Sequence, residues 1–261
     1  MRIALLSDIH GNPIAFDAVL DDIRAQGGVD GYWILGDLAA IGPDPIGVLQ
    51  RLVALPNSVV IRGNTDRYLV TGERPWPTVD MCEAEPALWK AYAEVASSFS
   101  WTQGAVTAAG WVSWLSGLPL EGRIVLPDGS RVLGVHASPG RDDSDGIRPG
   151  VDHPALCSYA AASDADLVFV GHTHWSMDLV VNGVRLVNAG SVSNPFPPDL
   201  RASYVVLEAD ESAYRILHRR VTYEREAVVA ALQRVNHPAS DFIVRFMHGK
   251  HLPPWNRSGQ G

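Results

Sequence analysis

One pattern recurs five times in this chain: a short apolar run, rich in β-branched residues, ends at a polar residue. The runs are RIALLS, GYWIL, SVVIR, RVLGV and DLVFV. Near-continuous runs of Val, Ile and Leu are typical of strands that are buried on both faces. Helical stretches separate them, such as NPIAFDAVLDDIRAQGG, which opens with Asn12 as a cap and Pro13 in the first turn. Strands that alternate with helices predict a layered α/β domain.

Later in the chain the sequence predicts antiparallel strands. Asn182 and Gly183 separate two apolar runs in MDLVVNGVRLVN, which is a strong hairpin signal. The stretch SYVVLEADESAYRILHRRV predicts a second hairpin, and YEREAVVAALQRVN predicts a closing helix. The sheet system is therefore expected to contain antiparallel strands in its later part.

Residues 72–120 differ from their surroundings, and we interpret them as a helical insertion within one domain that spans residues 1–261. The insertion holds five of the eight tryptophans, which are Trp76, Trp89, Trp101, Trp111 and Trp114. We expect these rings to pack the inserted helices onto the core. A lid whose rings contact the substrate is the alternative. Residues 248–261 end in small and polar residues and are expected to be frayed.

Composition excludes several classes of protein. The 261 residues contain no apolar run of about 18, so no membrane span is predicted. The N-terminal apolar run is shorter than the roughly 7–15 residues of a signal peptide, so we expect a cytoplasmic protein. With only Cys82 and Cys157, no disulfide framework is expected. A net charge of −8 argues against non-specific binding of long nucleic acids.

Polar side chains of a particular kind follow the predicted strands. Within a few residues of a strand end come Asp8, His10, Asp37, Asn64, His136, His172 and His174. In open α/β sheets ligands bind beyond the carboxyl ends of the strands, so these side chains should converge. Carboxylate, amide oxygen and imidazole suit divalent Mn, Fe, Co, Ni or Zn.

The number of these residues indicates more than one ion. A catalytic zinc takes about three protein ligands plus water, so seven side chains are too many for a single site. If one carboxylate bridges, two ions each receive four protein ligands, which is the arrangement of a two-metal hydrolase. Taken singly, Asp8 and His10 could belong to a helix cap, Asp37 and Asn64 to turns, and His136 to the core. Their joint occurrence at strand ends favours metal binding.

The motifs DIHGN, GDLAAIGPDP, RGNTD, GVHAS and GHTH, in this order, resemble those of the calcineurin-like metallophosphoesterase superfamily. The resemblance covers roughly residues 1–195 and is closest to the bacterial and archaeal phosphodiesterase-like branch. It implies a sandwich of two mixed β-sheets flanked by helices, with two divalent ions at the strand ends, manganese first and Fe, Ni, Co or Zn as alternatives. The implied ligand sets, completed by a bridging Asp37, are Asp8, His10 and His174 for one ion and Asn64, His136 and His172 for the other.

The resemblance implies an activity as well. A metal-bound hydroxide would attack a small phosphodiester, nucleotide or phosphomonoester. A protein serine/threonine phosphatase is one alternative, and a non-catalytic protein-binding module on the same fold is another. Because a retired site usually loses ligands and all seven are intact, an enzyme is favoured. The oligomeric state is left open.

One position departs from the family pattern. The third motif usually carries a histidine after the asparagine, placed to protonate the leaving group, and this chain has Thr65. A threonine hydroxyl cannot act as a general acid near neutral pH, and a positioned acid contributes about 10²–10⁴-fold. His153 is the predicted substitute, because the loop before it follows His136. The candidate phosphate contacts, each with a solvated surface charge as its alternative, are Arg62, Arg67, Arg141 and Arg148.

Overall fold

A computed structural model describes residues 1–253, in which two β-sheets pack face to face between layers of helices. Its strands are β1 (Arg2–Leu6), β2 (Gly31–Ile34), β3 (Ser58–Val60), β4 (Glu121–Val125), β5 (Arg131–Val135), β6 (Leu167–Val170), β7 (Met177–Val181), β8 (Val184–Asn188), β9 (Ala202–Ala209) and β10 (Tyr214–Val221). Its α-helices are α1 (Pro13–Ala25), α2 (Pro45–Val53), α3 (Asn64–Thr71), α4 (Val79–Ala84), α5 (Trp89–Ala108), α6 (Val112–Ser116), α7 (His153–Ala162), α8 (Arg225–Arg234) and α9 (Ser240–Met247). The predicted fold class is confirmed.

Both sheets have five strands and are mixed. The first has the order β10-β9-β1-β2-β3, and the second has the order β4-β5-β6-β8-β7. In the first sheet β1, β2 and β3 are parallel, while β9 is antiparallel to both of its neighbours. In the second sheet β5, β6 and β8 are parallel, with β4 and β7 antiparallel at the edges. The carboxyl ends of the parallel strands therefore share one edge in each sheet.

Strand β1 shows why the apolar runs are continuous. Ile3 and Leu5 pack between the two sheets, whereas Ala4 and Leu6 pack beneath the helices on the outer face. Successive side chains of a strand point to opposite faces, so a strand that is buried on both faces needs apolar residues at every position. Strand β6 does the same on the other sheet, because Phe169 lies in the core between the sheets and Val170 lies in the outer core.

Local signals set the element boundaries as the sequence predicted. The Asn12 side chain caps α1 by accepting the Ala15 N–H at 3.1 Å, and Pro13 is the first helical residue. Asn182 and Gly183 both have positive φ, at 51° and 83°, and join the antiparallel strands β7 and β8. Two left-handed residues give the hairpin turn whose twist matches that of its strands.

Some elements were not predicted. Strand β4 pairs antiparallel with β5. The turn that joins them contains Asp128 and Gly129, and the Asp-Gly pair is a common hairpin signal. Residues 72–120, interpreted from the sequence as a helical insertion, contain the three α-helices α4, α5 and α6. Helix α9 follows the predicted closing helix α8 and packs against it.

The insertion is only partly packed on the core. Trp111 and Trp114 pack against the core between the first sheet and its helices, whereas Trp76 and Trp89 are 53% and 43% exposed. Of the predicted tail, residues 254–261 lie outside the described residues, and within the described part the His251 ring stacks on an α9 side chain. No helix among residues 1–253 is long and apolar enough to cross a bilayer.

Candidate metal centre

The polar residues that follow the parallel strands meet at one edge of the sandwich. Five of the seven predicted ligands are buried, and His172 and His174 are partly exposed. Their places are Asp8 and His10 after β1, Asp37 after β2, Asn64 at the start of α3, His136 directly after β5, and His172 and His174 after β6. The structure thus brings all seven together, from both sheets.

One group of ligand atoms consists of a carboxylate and two imidazoles. Asp8 Oδ1 lies 3.2 Å from His174 Nε2 and 3.8 Å from His10 Nε2. The two imidazole nitrogens, His10 Nε2 and His174 Nε2, are 3.1 Å apart. Ligand atoms of these three residues all lie within 4.8 Å of one another, which is close enough to hold one ion.

A second group lies beside it. Asn64 Oδ1 is 3.0 Å from both His136 Nε2 and His172 Nδ1. Asp37 lies between the two groups, because its Oδ1 is 3.3 Å from His136 Nε2 and its Oδ2 is 3.8 Å from His10 Nε2. Each oxygen of Asp37 therefore faces a different group, which is the geometry that a bridging carboxylate needs.

All four imidazoles are oriented in the same way. The outer nitrogen of each ring lies near a backbone carbonyl, in the pairs His10 Nδ1 with Ala40 O (3.0 Å), His136 Nδ1 with Leu35 O (2.6 Å), His172 Nε2 with Ser144 O (2.9 Å) and His174 Nδ1 with Asn194 O (2.8 Å). A neutral imidazole that donates its outer N–H to a carbonyl directs the lone pair of its other nitrogen inward. This arrangement is typical of histidines that bind metals.

The carboxylate of Asp8 tests whether a cation fits the centre. Asp8 Oδ2 accepts the His172 backbone N–H at 3.0 Å, but Asp8 Oδ1 is buried without a hydrogen-bond partner. It faces the Nε2 atoms of His174 and His10, which carry lone pairs in the tautomers described above. Acceptors in such close contact repel unless a proton or a cation lies among them. The donor set therefore fits a cation.

Charges in the centre move pKa values in opposite directions. Burial opposes ionisation of Asp37, but His136 and His10 hold the pKa of this carboxyl well below its ordinary value. Burial alone would lower the pKa of His136, yet the adjacent Asp37 raises it to about 10. Burial lowers the pKa of His10 and of His172. The carboxylates thus attract a positive charge, for which protons and metal ions compete.

Unusual backbone conformation marks the predicted ligands. Five of the seven have positive φ, which are Asp8 (57°), His10 (49°), Asp37 (57°), His172 (67°) and His174 (58°). A left-handed conformation costs a residue with a side chain about 1–3 kcal/mol and persists only where the surroundings enforce it. Such strain is concentrated at functional sites.

The glycines that precede Asn64 and His172 explain part of this geometry. A Cβ at Gly63 would lie 2.2 Å from Asp37 Oδ1, and a Cβ at Gly171 would lie 1.8 Å from Ser7 Oγ. Only a residue without a side chain lets these loops approach so closely. The glycines of the G-N and G-H pairs are thus needed to bring ligands from different strands together.

Asp66 is a residue of the centre that sequence analysis did not single out. Its fully buried carboxylate accepts the backbone N–H groups of Asp37 and Gly63, both at 2.9 Å, and of Leu38 at 3.0 Å. Burial, together with the charge of Asp37, raises the pKa of Asp66 to about 7. Through its three hydrogen bonds, Asp66 connects the loop after β2 to the start of α3. Its place at the third position of that helix, where acidic caps occur, was the available signal.

The two residues considered for leaving-group protonation lie in different surroundings. The Thr65 backbone N–H donates to Asp37 Oδ1 at 2.9 Å, and Thr65 Oγ1 is buried without a hydrogen-bond partner. His153 is exposed at the start of α7, where its Nε2 lies 3.4 Å from Cys157 Sγ. His153 is not among the groups of clustered ligand atoms described above.

Two clefts flank the centre. The first, here called the aromatic cleft, has a volume of about 450 Å³ and is lined by Ser144, Asp145, Arg148, His172, Thr173, His174, Phe196 and Phe246. The second, here called the arginine cleft, has a volume of about 460 Å³ and is lined by Arg62, Arg67, Leu120, Gly140, Arg141, Asp142, Asp143 and Ser144. Ser144 belongs to both, so the clefts adjoin.

The four predicted phosphate contacts are divided between these clefts. Arg62 Nε donates to Asp142 Oδ2 at 2.8 Å, and Arg67 Nε donates to the same carboxylate at 3.1 Å. Arg141 Nε donates to a backbone carbonyl at 3.1 Å. Arg148 lies in the aromatic cleft with His172 and His174, and its guanidinium pairs with the exposed Asp145.

A two-sheet sandwich with carboxylate, amide and imidazole groups gathered at its strand ends has the architecture of a metal-dependent hydrolase. The chain belongs to the calcineurin-like phosphoesterase superfamily, whose domain model matches residues 1–212. The resemblance inferred from the five motifs is confirmed. Membership of this family supports phosphoesterase activity that depends on metal.

Two curated proteins are similar to this chain over very different lengths. An uncharacterized protein from Methanocaldococcus jannaschii is 28% identical over 246 residues, which cover 85% of this chain and 88% of that protein. A symmetrical bis(5'-nucleosyl)-tetraphosphatase from Erwinia tasmaniensis is 38% identical over 71 residues, which cover only 27% of this chain and 26% of that protein. The second match is therefore confined to about a quarter of each chain.

Solved structures share the whole fold. A metallophosphoesterase from Sphaerobacter thermophilus superimposes with a TM-score of 0.71 at 26% identity, covering 96% of this chain and 99% of that one. A hypothetical protein from Pyrococcus horikoshii superimposes with a TM-score of 0.77 at 19% identity, covering 95% of this chain and 98% of that one. The latter likeness concerns the fold alone.

Proposed function

We propose that this protein is a dinuclear metal-dependent phosphoesterase that hydrolyses a small phosphodiester, nucleotide or phosphomonoester. The observation that carries the proposal is the position of Asp37, whose two oxygens face two separate groups of ligand atoms. A pair of ions about 3.5–4 Å apart can clamp both oxygens of an in-line displacement at phosphorus. The partial match to bis(5'-nucleosyl)-tetraphosphatases supports the inclusion of nucleotides.

The residues would hold the two ions in the sets that the family resemblance implies. Asp8, His10 and His174 would bind one ion, and a shared Asp37 would complete it. The set for the second ion is Asn64, His136 and His172 with Asp37. Carboxylate, amide and imidazole ligands suit divalent manganese, our first choice, and also Fe, Co, Ni or Zn. When bound, such ions supply Lewis acidity for phosphoryl oxygens and lower the pKa of water from 15.7 toward about 7.

The chain's own groups orient the substrate and the ligands. The carbonyls on the outer imidazole nitrogens hold the four rings in position, and Asp66 holds the Asp37 loop. Among the four arginines, we propose Arg148 as the phosphate contact, because it shares the aromatic cleft with two predicted ligands. A guanidinium fork matches phosphate oxygens geometrically. Arg62 and Arg67 donate to the buried Asp142, whereas the partner of Arg148 is the exposed Asp145.

Metal-dependent hydrolysis is the direct test. The protein is stripped with chelator, and Mn, Ni, Co, Zn or Mg is added back before assays of an aryl phosphodiester and an aryl phosphomonoester. We expect a transition metal to restore turnover, with two ions bound per chain. Asp21→Asn is the matched control, since it removes an exposed carboxylate on α1 and should leave metal content unchanged. Two bound ions without turnover of either ester would contradict the proposal and indicate a metal-binding protein that lacks this chemistry.

A further inference from the structure

An aromatic cluster forms one wall of the aromatic cleft. Phe196 lies in the loop after β8, and Phe242 and Phe246 lie on α9. His251 follows α9 in a segment that is neither helix nor strand. None of these four residues was singled out from the sequence, because the rings come from three separate segments and carry no motif.

The His251 ring is surrounded by the three phenylalanine rings. It stacks on Phe246 with centroids 4.1 Å apart and an interplanar angle of 28°. Its plane is within 19° of that of Phe196, at 6.0 Å, and Phe242 meets it edge-on at 5.8 Å. Phe246 therefore offers a face to the imidazole and Phe242 an edge, while Phe196, whose centroid is 6.3 Å from that of Phe246 at an angle of 43°, borders it at the side. We call the place that the imidazole fills among these three rings the pocket.

This pocket adjoins the metal centre. Phe196 stacks on His174 with centroids 5.7 Å apart and an angle of 29°, and the Phe246 centroid is 6.4 Å from that of His174. Phe196 and Phe246 also line the same 450 Å³ cleft as His172 and His174. Clefts of about 300–1,000 Å³ hold small-molecule ligands. A planar group in the pocket would thus be separated from a predicted metal ligand by a single ring.

We propose that Phe196, Phe242 and Phe246 form a binding site for the heterocyclic base of a nucleotide substrate, and that the chain's own His251 occupies this site in the absence of substrate. The proposal rests on the proposed phosphoesterase function, and it narrows the substrate class to nucleotides. His251 is itself a planar nitrogen heterocycle, so its stacking shows which kind of group the pocket accepts. Base–aromatic stacking tolerates any base, because every base has a π-face.

His251 lies beyond the end of α9. Its backbone N–H donates to Arg245 O at 3.2 Å, and Gly249, with φ of 65°, separates it from the end of α9. Displacement of the ring therefore does not require α9 to unfold. The binding site would be available only while His251 is out of it, which weakens the apparent affinity for a base by the fraction of time that it is occupied.

Equilibrium dialysis of the metal-loaded protein with labelled adenosine and labelled ribose tests the proposal. Neither probe carries a phosphate, so binding does not depend on hydrolysis. We expect adenosine to bind more tightly than ribose, and His251→Ala to tighten adenosine binding about tenfold if the ring occupies the site about nine-tenths of the time. Phe196→Leu keeps the apolar volume, removes a π-face and should weaken adenosine binding about tenfold.

His248→Ala is the matched control. It removes an imidazole three residues earlier, at an exposed position where the ring lies 3.1 Å from Glu226, and it should leave adenosine binding unchanged. Equal affinity for adenosine and ribose, or an unchanged adenosine affinity in His251→Ala, would overturn the base site and leave the cluster as packing. Adenosine binding without phosphoester hydrolysis would uphold the base site and overturn the proposed activity. Hydrolysis without selective adenosine binding would do the reverse.

Discussion

The metal centre and the arginine cleft lie side by side and are both rich in ionisable groups, yet their charges are arranged in opposite ways. In the arginine cleft, Arg62 and Arg67 both donate to the buried carboxylate of Asp142. In the metal centre, Asp8 Oδ1 has no hydrogen-bond donor and faces imidazole nitrogens. In one region the carboxylate is satisfied by neighbouring arginines, and in the other a buried carboxylate oxygen is left without a donor.

The backbone shows the same contrast. Five predicted ligands adopt positive φ although they carry side chains. In residues 138–148, the loop beside the arginine cleft, the residues with positive φ are Gly140 and Gly146. Strain is tolerated at the metal centre, where chemistry requires particular side chains, and is avoided in the cleft beside it. We therefore expect substitutions in the metal centre to affect catalysis, and substitutions in the arginine cleft to affect mainly stability.

The largest effect is expected for Asp37→Asn. The substitution removes the charge that both groups of ligand atoms face, so both metal occupancy and turnover should fall. We expect turnover to fall by more than the roughly 10–100-fold that is typical of residues that only orient ligands. Metal content by elemental analysis and turnover of an aryl phosphodiester measure it. Full metal content with full activity would show that Asp37 is not the shared ligand.

A moderate effect of a different kind is expected for Asp142→Asn. Loss of this charge leaves Arg62 and Arg67 without their common partner, and both arginine side chains are less than one third exposed. Unfolding free energy should fall by about 1–2 kcal/mol, a value reduced for solvent screening. Thermal unfolding measures it, and metal content should stay at the wild-type level. A loss of metal comparable to that of Asp37→Asn would erase the distinction between the two regions.

A smaller, selective effect is expected for Thr65→His. A histidine at this position could protonate a leaving oxygen, so turnover of alkyl monoesters should rise by about 10²-fold, the lower end of the range for a positioned general acid. Aryl esters, whose leaving groups need less help, should gain less. Thr65→Val is the control, because the native hydroxyl has no hydrogen-bond partner and its removal should change little. Equal gains for both ester types would indicate that protonation is not the missing step.

The smallest effect is expected for Arg141→Ala. This exposed side chain donates to a backbone carbonyl, and surface substitutions usually change unfolding free energy by less than about 0.5 kcal/mol. The KM for an aryl phosphodiester should stay close to the wild-type value. A tenfold rise in KM would instead place the arginine cleft in the substrate-binding surface.

Sequence alone predicted the parts of this structure whose signals are local. The apolar runs define the central strands, and the polar residues that end them converge because parallel strands share one edge. Strand β4 and helix α9 were missed, since the first is a half-buried edge strand and the second follows an already complete closing helix. Asp66 was missed because its role depends on backbone N–H groups from another loop. Such contacts cannot be read from residue spacing.

The left-handed backbone at the predicted ligands has a consequence for how this sequence can drift. At His10, His172 and His174 a glycine or an asparagine would relieve strain, so stability alone favours replacement of these histidines. A variant that no longer had to bind metal would gain stability through the same mutations that remove the ligands. Backbone stability and metal binding therefore make opposite demands on these three positions.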